Sequence, residues 1–156
     1  MLNPRAFSFG STSAIVTSMG HIIGLGSATV SPATIVGGLL IVAVADNITD
    51  SLSVHMYQEA EQLEARAAFR ATLMNFVARL LITLTFAIVV LVLPNPYDAV
   101  IIALGWGLLL LAGLSYILAR ARDVRALPEV GKHLGVAVLV IAASRVIGLW
   151  ILRYLQ

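Results

Sequence analysis

The chain alternates between long uncharged apolar segments and short charged connections. Residues 6–45 and 99–119 contain no Asp, Glu, Lys or Arg. A helix needs about 20 mostly apolar residues to cross the hydrocarbon core of a bilayer. Since open strands cannot leave their amides unpaired in lipid, the pattern predicts an all-α integral membrane protein with five transmembrane helices. We expect a single transmembrane domain over residues 1–156, with helices at about 7–28, 32–64, 73–93, 96–120 and 133–153.

Two of the breaks between the predicted helices carry a start signal. Ser31-Pro32 and Asn95-Pro96 each place an N-cap residue directly before a proline. Serine and asparagine satisfy free amides at a helix start, and proline suits the first helical turn. These two pairs therefore predict the starts of the second and fourth helices.

The basic residues predict the orientation. Arg66 and Arg70 lie between the second and third predicted helices, and four more basic residues lie between the fourth and fifth. The two connections on the opposite side contain no Lys or Arg. Because basic residues concentrate on the cytoplasmic side, the N-terminus is expected in the cytoplasm and the C-terminus outside.

The composition excludes several classes of protein. Sixty per cent of the residues are hydrophobic and only 12% are charged, against about 25% charged in ordinary soluble domains. The absence of cysteine excludes disulfides and thiolate metal sites. Because the chain carries no recognisable catalytic or nucleotide-binding motif, we expect no enzyme, no resident cofactor and no nucleic-acid partner. A minimal chain without an organelle-targeting extension is expected in a prokaryotic cytoplasmic membrane.

The second predicted helix carries a polar stripe. At 100° per residue, one face collects Asp46, Asp50, Ser53, Tyr57, Glu61 and Glu64. A charged carboxylate at membrane depth costs about 2.5–3.5 kcal/mol, so these acids should face a partner, a cavity or a cation.

Two interpretations of the stripe stay open. In the first it is a cation path, because two hard oxygen ligands one turn apart suit a divalent metal or a proton relay. Asp46 and Asp50 would then bind the metal within the membrane, and Glu61 and Glu64 would collect it at the cytoplasmic mouth. The lining residues of this path would be Ser13, Thr17, Asn47, Ser53, His55 and Tyr57.

In the second interpretation, Asp46 and Asp50 neutralise basic side chains inside the bundle. Arg145 is the expected charge partner, because it lies about 12 Å inside the outer end of the fifth helix and should point inward. Arg79 is a further possible partner. Its expected place near the cytoplasmic end of the third helix would let it reach the interface, so it is interpreted as structural.

The order of these elements resembles the vacuolar iron transporter family. The similarity rests on Gly10-Ser-Thr-Ser-Ala-Ile-Val, Gly24-Leu-Gly-Ser-Ala, Asp50-Ser-Leu-Ser-Val and Ser144-Arg-Val-Ile-Gly. The resemblance implies a homodimer with five transmembrane helices per chain and transport of iron-like cations. The chain would be a divergent, short member of a prokaryotic type that lacks the family's cytosolic metal-binding helices.

Several positions depart from the family pattern. Ser13 occupies the position of a membrane-embedded Asp, Asp46 that of a metal-contacting Met, and Arg145 that of a Tyr. Asp50 replaces a Glu. A hard carboxylate in place of a soft thioether changes the expected metal preference.

The leading hypothesis is a homodimer, formed through helices 1 and 2, that exports a divalent cation such as iron or manganese, with proton antiport as one coupling. One alternative is a non-transporting scaffold or subunit of the same fold in which Arg145 neutralises the acidic site. Another is a proton- or anion-linked carrier in which Arg145 contacts the substrate.

Overall fold

A computed structural model describes residues 4–29, 31–62 and 64–155, and throughout these ranges the only regular structure is helical. Residues 1–3, 30, 63 and 156 of the predicted domain lie outside the described residues. The α-helices are α1 (Pro4–Ala28), α2 (Pro32–Ile41), α3 (Asn47–Ala60), α4 (Ala65–Val92), α5 (Pro96–Ala121) and α6 (Ala126–Tyr154). A π-helical turn, Val42–Asp46, joins α2 to α3, so the chain is continuously helical from residue 32 to residue 60.

The two predicted start signals are confirmed. The Ser31 hydroxyl accepts a hydrogen bond from the Thr34 amide at 3.3 Å, at the start of α2. Asn95 Oδ1 accepts from the Tyr97 amide at 3.0 Å, at the start of α5. In both helices the proline follows as the first helical residue, where its missing N–H costs nothing.

Other boundaries differ from those expected from the apolar pattern. The helix that begins at residue 32 ends at Ala60, because Gln62 takes a left-handed conformation with φ of 55°. The next helix begins at Ala65 rather than near residue 73, and α6 begins at Ala126 rather than near residue 133. Charged residues are compatible with a helix outside the hydrocarbon core, so the apolar pattern marks only the lipid-spanning part of each helix.

Four helical segments are long and apolar enough to cross a membrane. They are residues 32–60, 65–92, 96–121 and 126–154. The predicted count of five is therefore not matched, because α1, which contains many Ser, Thr and Gly residues, is not among these four segments. Segments of this length and apolarity indicate an integral membrane protein associated with the lipid bilayer.

The polar composition of α1 agrees with its place in the bundle. This helix packs against α4, α5 and α6, and Ile15, Met19 and Ile22 are fully buried. At its C-terminal end α1 comes very close to α6, where a Cβ atom added to Gly148 would collide with the Gly24 carbonyl oxygen. Small residues permit such close helix packing in membranes.

Candidate functional site

Three helical segments bring two carboxylates, one guanidinium and one hydroxyl together near the middle of the bundle. Arg79 lies halfway along α4. Its Nη1 atom donates to Asp50 Oδ2 at 2.6 Å, and its Nη2 atom donates to Asp46 Oδ2. The Ser13 hydroxyl of α1 accepts a further bond from Nη1. We refer to Ser13, Asp46, Asp50 and Arg79 as the Arg79 cluster.

Local backbone structure places these groups. Asp46 is the last residue of the π-helical turn, in which the Asn47 amide donates to the carbonyl of Val42, five residues earlier. Single π-helical turns occur often at functional sites. Asn47 Nδ2 then donates to the Phe76 carbonyl at 2.9 Å, which ties the start of α3 to α4 beside the cluster.

The close approach of α1 to α4 depends on a glycine. A Cβ atom added to Gly10 would lie 2.5 Å from Asn75 Oδ1 and 2.9 Å from the Asn75 carbonyl oxygen. The absence of a side chain at Gly10 therefore lets the helix that carries Ser13 reach the helix that carries Arg79.

The cluster is buried on its basic side and open on its acidic side. The Arg79 side chain is 3% exposed, whereas the side chains of Asp46 and Asp50 are 48% and 29% exposed. Arg79 engages one oxygen of each carboxylate, and no donor among the described residues reaches the Oδ1 atom of either. With all three groups ionised the cluster carries one net negative charge, and that charge is accessible from the outer face of α3.

The basic partner of the two acids is Arg79 and not Arg145. Arg145 lies on α6 beside Ser27 and Tyr97, near the ends of α1 and α5, and within the described residues it forms no ion pair. The expected place of Arg79 near a helix end is also corrected. Because α4 begins at Ala65, Arg79 lies mid-helix, where it is buried and cannot extend to the interface.

The remaining acids of the predicted stripe lie at the end of α3. Glu61 follows α3 and is exposed, and Glu64 directly precedes α4, so the two no longer share one helical face with Asp46. Within the described residues, no group of three or more His, Asp or Glu side chains is close enough to hold a metal ion.

The residues predicted to line the cation path lie in different parts of the structure and do not form one path. Ser53 and Tyr57 are exposed on α3, and the Ser53 hydroxyl donates to the Thr49 carbonyl. His55 lies 3.4 Å from a Glu59 carboxylate oxygen and 3.3 Å from the Thr72 hydroxyl. Thr17 lies apart from the cluster, in a groove between α1 and α6.

A second polar stripe follows the buried face of α3. Asn47, Ser51 and Gln58 are buried there, and Asn75 Nδ2 of α4 donates to the Ser51 hydroxyl at 3.3 Å. The sequence analysis included Asn47 but missed Ser51, Gln58 and Asn75. The spacing of residues 47, 51 and 58 is itself a helical-face signal that could have identified the stripe.

Comparison of the chain with known protein families, with characterised proteins and with solved structures finds no match.

Proposed function

We propose that the protein is a homodimeric membrane transporter that moves divalent cations of the iron and manganese class out of the cytoplasm. The observation that supports this function is the charge imbalance of the Arg79 cluster. One guanidinium faces two carboxylates halfway along α4, and the free oxygen of each carboxylate is open to the outer face of α3. Charged groups at membrane depth are costly and are commonly part of an ion pathway.

The outer face of α2 and α3 is the proposed dimer interface. Val44, Ile48 and Leu52 are each more than half exposed on this face, and the Asp46 side chain is 48% exposed. Contact of the carboxylates with lipid would be unfavourable, whereas a two-fold packing of this face on itself would remove them from lipid. Since every residue from 8 to 28 of α1 except Phe9 is buried or partly buried, the interface involves α2 and α3 more than the first helix.

Such a dimer has the charge of a divalent cation site. Each protomer contributes one negative charge, because Arg79 neutralises only one of its two carboxylates, and two protomers contribute two. The free Oδ1 atoms of Asp46 and Asp50 are hard oxygen ligands of the kind that Mn²⁺ and other divalent ions accept. Arg79 competes with the cation for the same carboxylates, which would favour release over tight retention.

The proposal includes five membrane crossings. With 25 residues, α1 is about 37 Å long and can span a bilayer. Its hydroxyl groups at Ser11 and Ser18 are buried in the protein and so avoid lipid. Five crossings put the basic α3–α4 and α5–α6 connections in the cytoplasm with the N-terminus. Glu61 then lies at the cytoplasmic mouth, where it would attract cations.

Uptake of Mn²⁺ into proteoliposomes tests the proposal. Asp46→Asn and Asp50→Asn should each abolish most Mn²⁺ uptake, because they remove the negative charge of the site with little change of shape. Asp98→Asn is the matched control, since Asp98 is an exposed acid on α5. Mn²⁺ uptake that is unchanged in both cluster variants would refute the proposal.

A second candidate function is a membrane scaffold that does not transport. It is favoured by the pairing of Arg79 with both Asp46 and Asp50, which already occupies one oxygen of each carboxylate. In that case the wild-type protein would show no Mn²⁺ uptake, and substitutions in the cluster would lower its thermal stability alone.

A further inference from the structure

A cavity of about 580 Å³ lies at the end of the bundle where α1 ends and α5 begins. This volume is in the range of small-molecule binding sites. Arg145 of α6 lines the cavity together with three residues that carry hydroxyl groups, Ser27, Thr29 and Tyr97. Apolar side chains, among them Val100 and Leu149, form much of the remaining wall.

Arg145 brings a positive charge to this cavity without a counter-charge. Among the described residues it forms no ion pair, although Asp98 lies in the first turn of the adjacent α5. The Arg145 side chain is exposed rather than packed against an acid of the protein. Its five N–H donors are therefore available to an anion from outside the chain.

The position of the cavity relative to the membrane surface indicates which anion can reach Arg145. Arg145 shares the cavity with Pro96 and Tyr97, the first two residues of α5, so it lies level with a helix end. Beyond Arg145, α6 continues to an aromatic pair, Trp150 and Tyr154, with ring centroids 6.0 Å apart. Tryptophan and tyrosine concentrate at the headgroup level of a bilayer, where lipid phosphates lie.

We propose that this cavity is a binding site for a phosphate group, with Arg145 as the principal ligand. A guanidinium matches two phosphate oxygens in a bidentate geometry, and the Ser27 and Tyr97 hydroxyls can donate to the same group. The apolar wall formed by Val100 and Leu149 fits the glycerol and acyl part of a phospholipid. A phospholipid headgroup and free phosphate share the chemistry that Arg145 recognises. The proposal depends neither on the Arg79 cluster nor on cation transport.

Native mass spectrometry of the detergent-solubilised protein tests the site. The protein is titrated separately with phosphatidylglycerol and with inorganic phosphate. Arg145→Gln should weaken the binding of the phosphate-bearing ligand about tenfold, since it removes a charged hydrogen-bond donor. Arg145→Lys should restore part of the affinity. The control is Arg153→Gln, because Arg153 is a cation of the same helix that lies over the Tyr154 ring, 5.4 Å from its centroid.

Loss of phosphatidylglycerol binding in Arg145→Gln, with no binding of inorganic phosphate to the wild type, would identify a lipid headgroup site. Saturable binding of inorganic phosphate that depends on Arg145 would identify a site for free phosphate. Equal affinity of the wild type and Arg145→Gln for both ligands would overturn the proposal, as would an equal loss in Arg153→Gln. Circular dichroism of each variant checks that its helical content is unchanged.

Discussion

Arg79 and Asp50 are joined by a hydrogen bond of 2.6 Å between α4 and α3, in the interior of the bundle. The same guanidinium also engages Asp46, and it is almost completely buried while both carboxylates are partly exposed. The arginine is therefore fixed by the protein, whereas the acids face both the arginine and the outside of the bundle. Because of this asymmetry, we expect substitution of Arg79 to change the stability of the protein differently from substitution of Asp46 or Asp50.

Arg79→Gln should destabilise the protein far more than Asp46→Asn or Asp50→Asn. Removal of the base leaves two neighbouring carboxylates without a partner. Breaking a fully buried ion pair typically costs about 3–5 kcal/mol, and the partial exposure of both acids places this loss below that range. Removal of one acid leaves Arg79 with the other acid. Thermal unfolding in detergent measures the difference, and the double variant Arg79→Gln/Asp50→Asn should recover part of the loss. Equal destabilisation by all three single substitutions would show that the cluster is not organised around Arg79.

Gly148→Ala should separate α1 from α6 and destabilise the fold by about 1–3 kcal/mol, because its Cβ atom would meet the Gly24 carbonyl. Gly135→Ala is the matched control on the same helix, since nothing lies within 4 Å of a Cβ atom at Gly135. Alanine favours the helix over glycine, so the control should be neutral or stabilising by up to about 1 kcal/mol. Unfolding temperatures that fall equally in both variants would contradict the packing of α1 on α6.

Ile48→Cys should form a disulfide-linked dimer in membranes under mild oxidation, because Ile48 lies on the proposed two-fold interface. The chain contains no cysteine, so a single introduced thiol reports on one position only. Leu139→Cys on α6 is the control, since it is equally apolar and even more exposed. Non-reducing electrophoresis should show dimer for Ile48→Cys and little for Leu139→Cys. The opposite pattern would place the interface on α6.

A reporter fused to the C-terminus should be found outside the cell membrane. Five crossings put the termini on opposite sides, whereas the four segments that meet the apolar criterion would return the chain to its starting side. In a bacterial host, alkaline phosphatase is active only outside the cytoplasm, and green fluorescent protein folds efficiently only inside. High phosphatase activity at the C-terminus with low fluorescence is expected. The reverse would contradict five crossings with the N-terminus in the cytoplasm.

Most helices of the fold were predictable from the sequence. A helix that crosses lipid must be long and apolar, and cap residues at some helix ends are recognisable in the sequence. The caps at Ser31 and Asn95 are of this kind, since each depends on a residue and its near neighbours. The starts of α4 and α6 were not predictable from apolarity, because their first turns are charged or polar and yet helical. Because α4 begins at Ala65 and not near residue 73, Arg79 lies in the middle of the helix and not near its end.

The acids of the candidate site were predictable, but their partner was not. Asp46 and Asp50 stand out because carboxylates are rare in an apolar helix. Which arginine reaches them depends on how the helices pack, and the sequence offered both Arg79 and Arg145. The packing that decides between them includes Gly10, which lets α1 approach α4, and neither hydropathy nor charge signals that contact.

Electron paramagnetic resonance of Mn²⁺ added to the purified protein tests the central claim most directly. We expect bound Mn²⁺ at a ratio of one ion to two chains, since two protomers supply two uncompensated carboxylates. Asp46→Asn and Asp50→Asn should release this Mn²⁺, whereas Asp98→Asn should retain it. Bound Mn²⁺ that persists in both cluster variants, or a wild-type protein that binds none, would contradict the account.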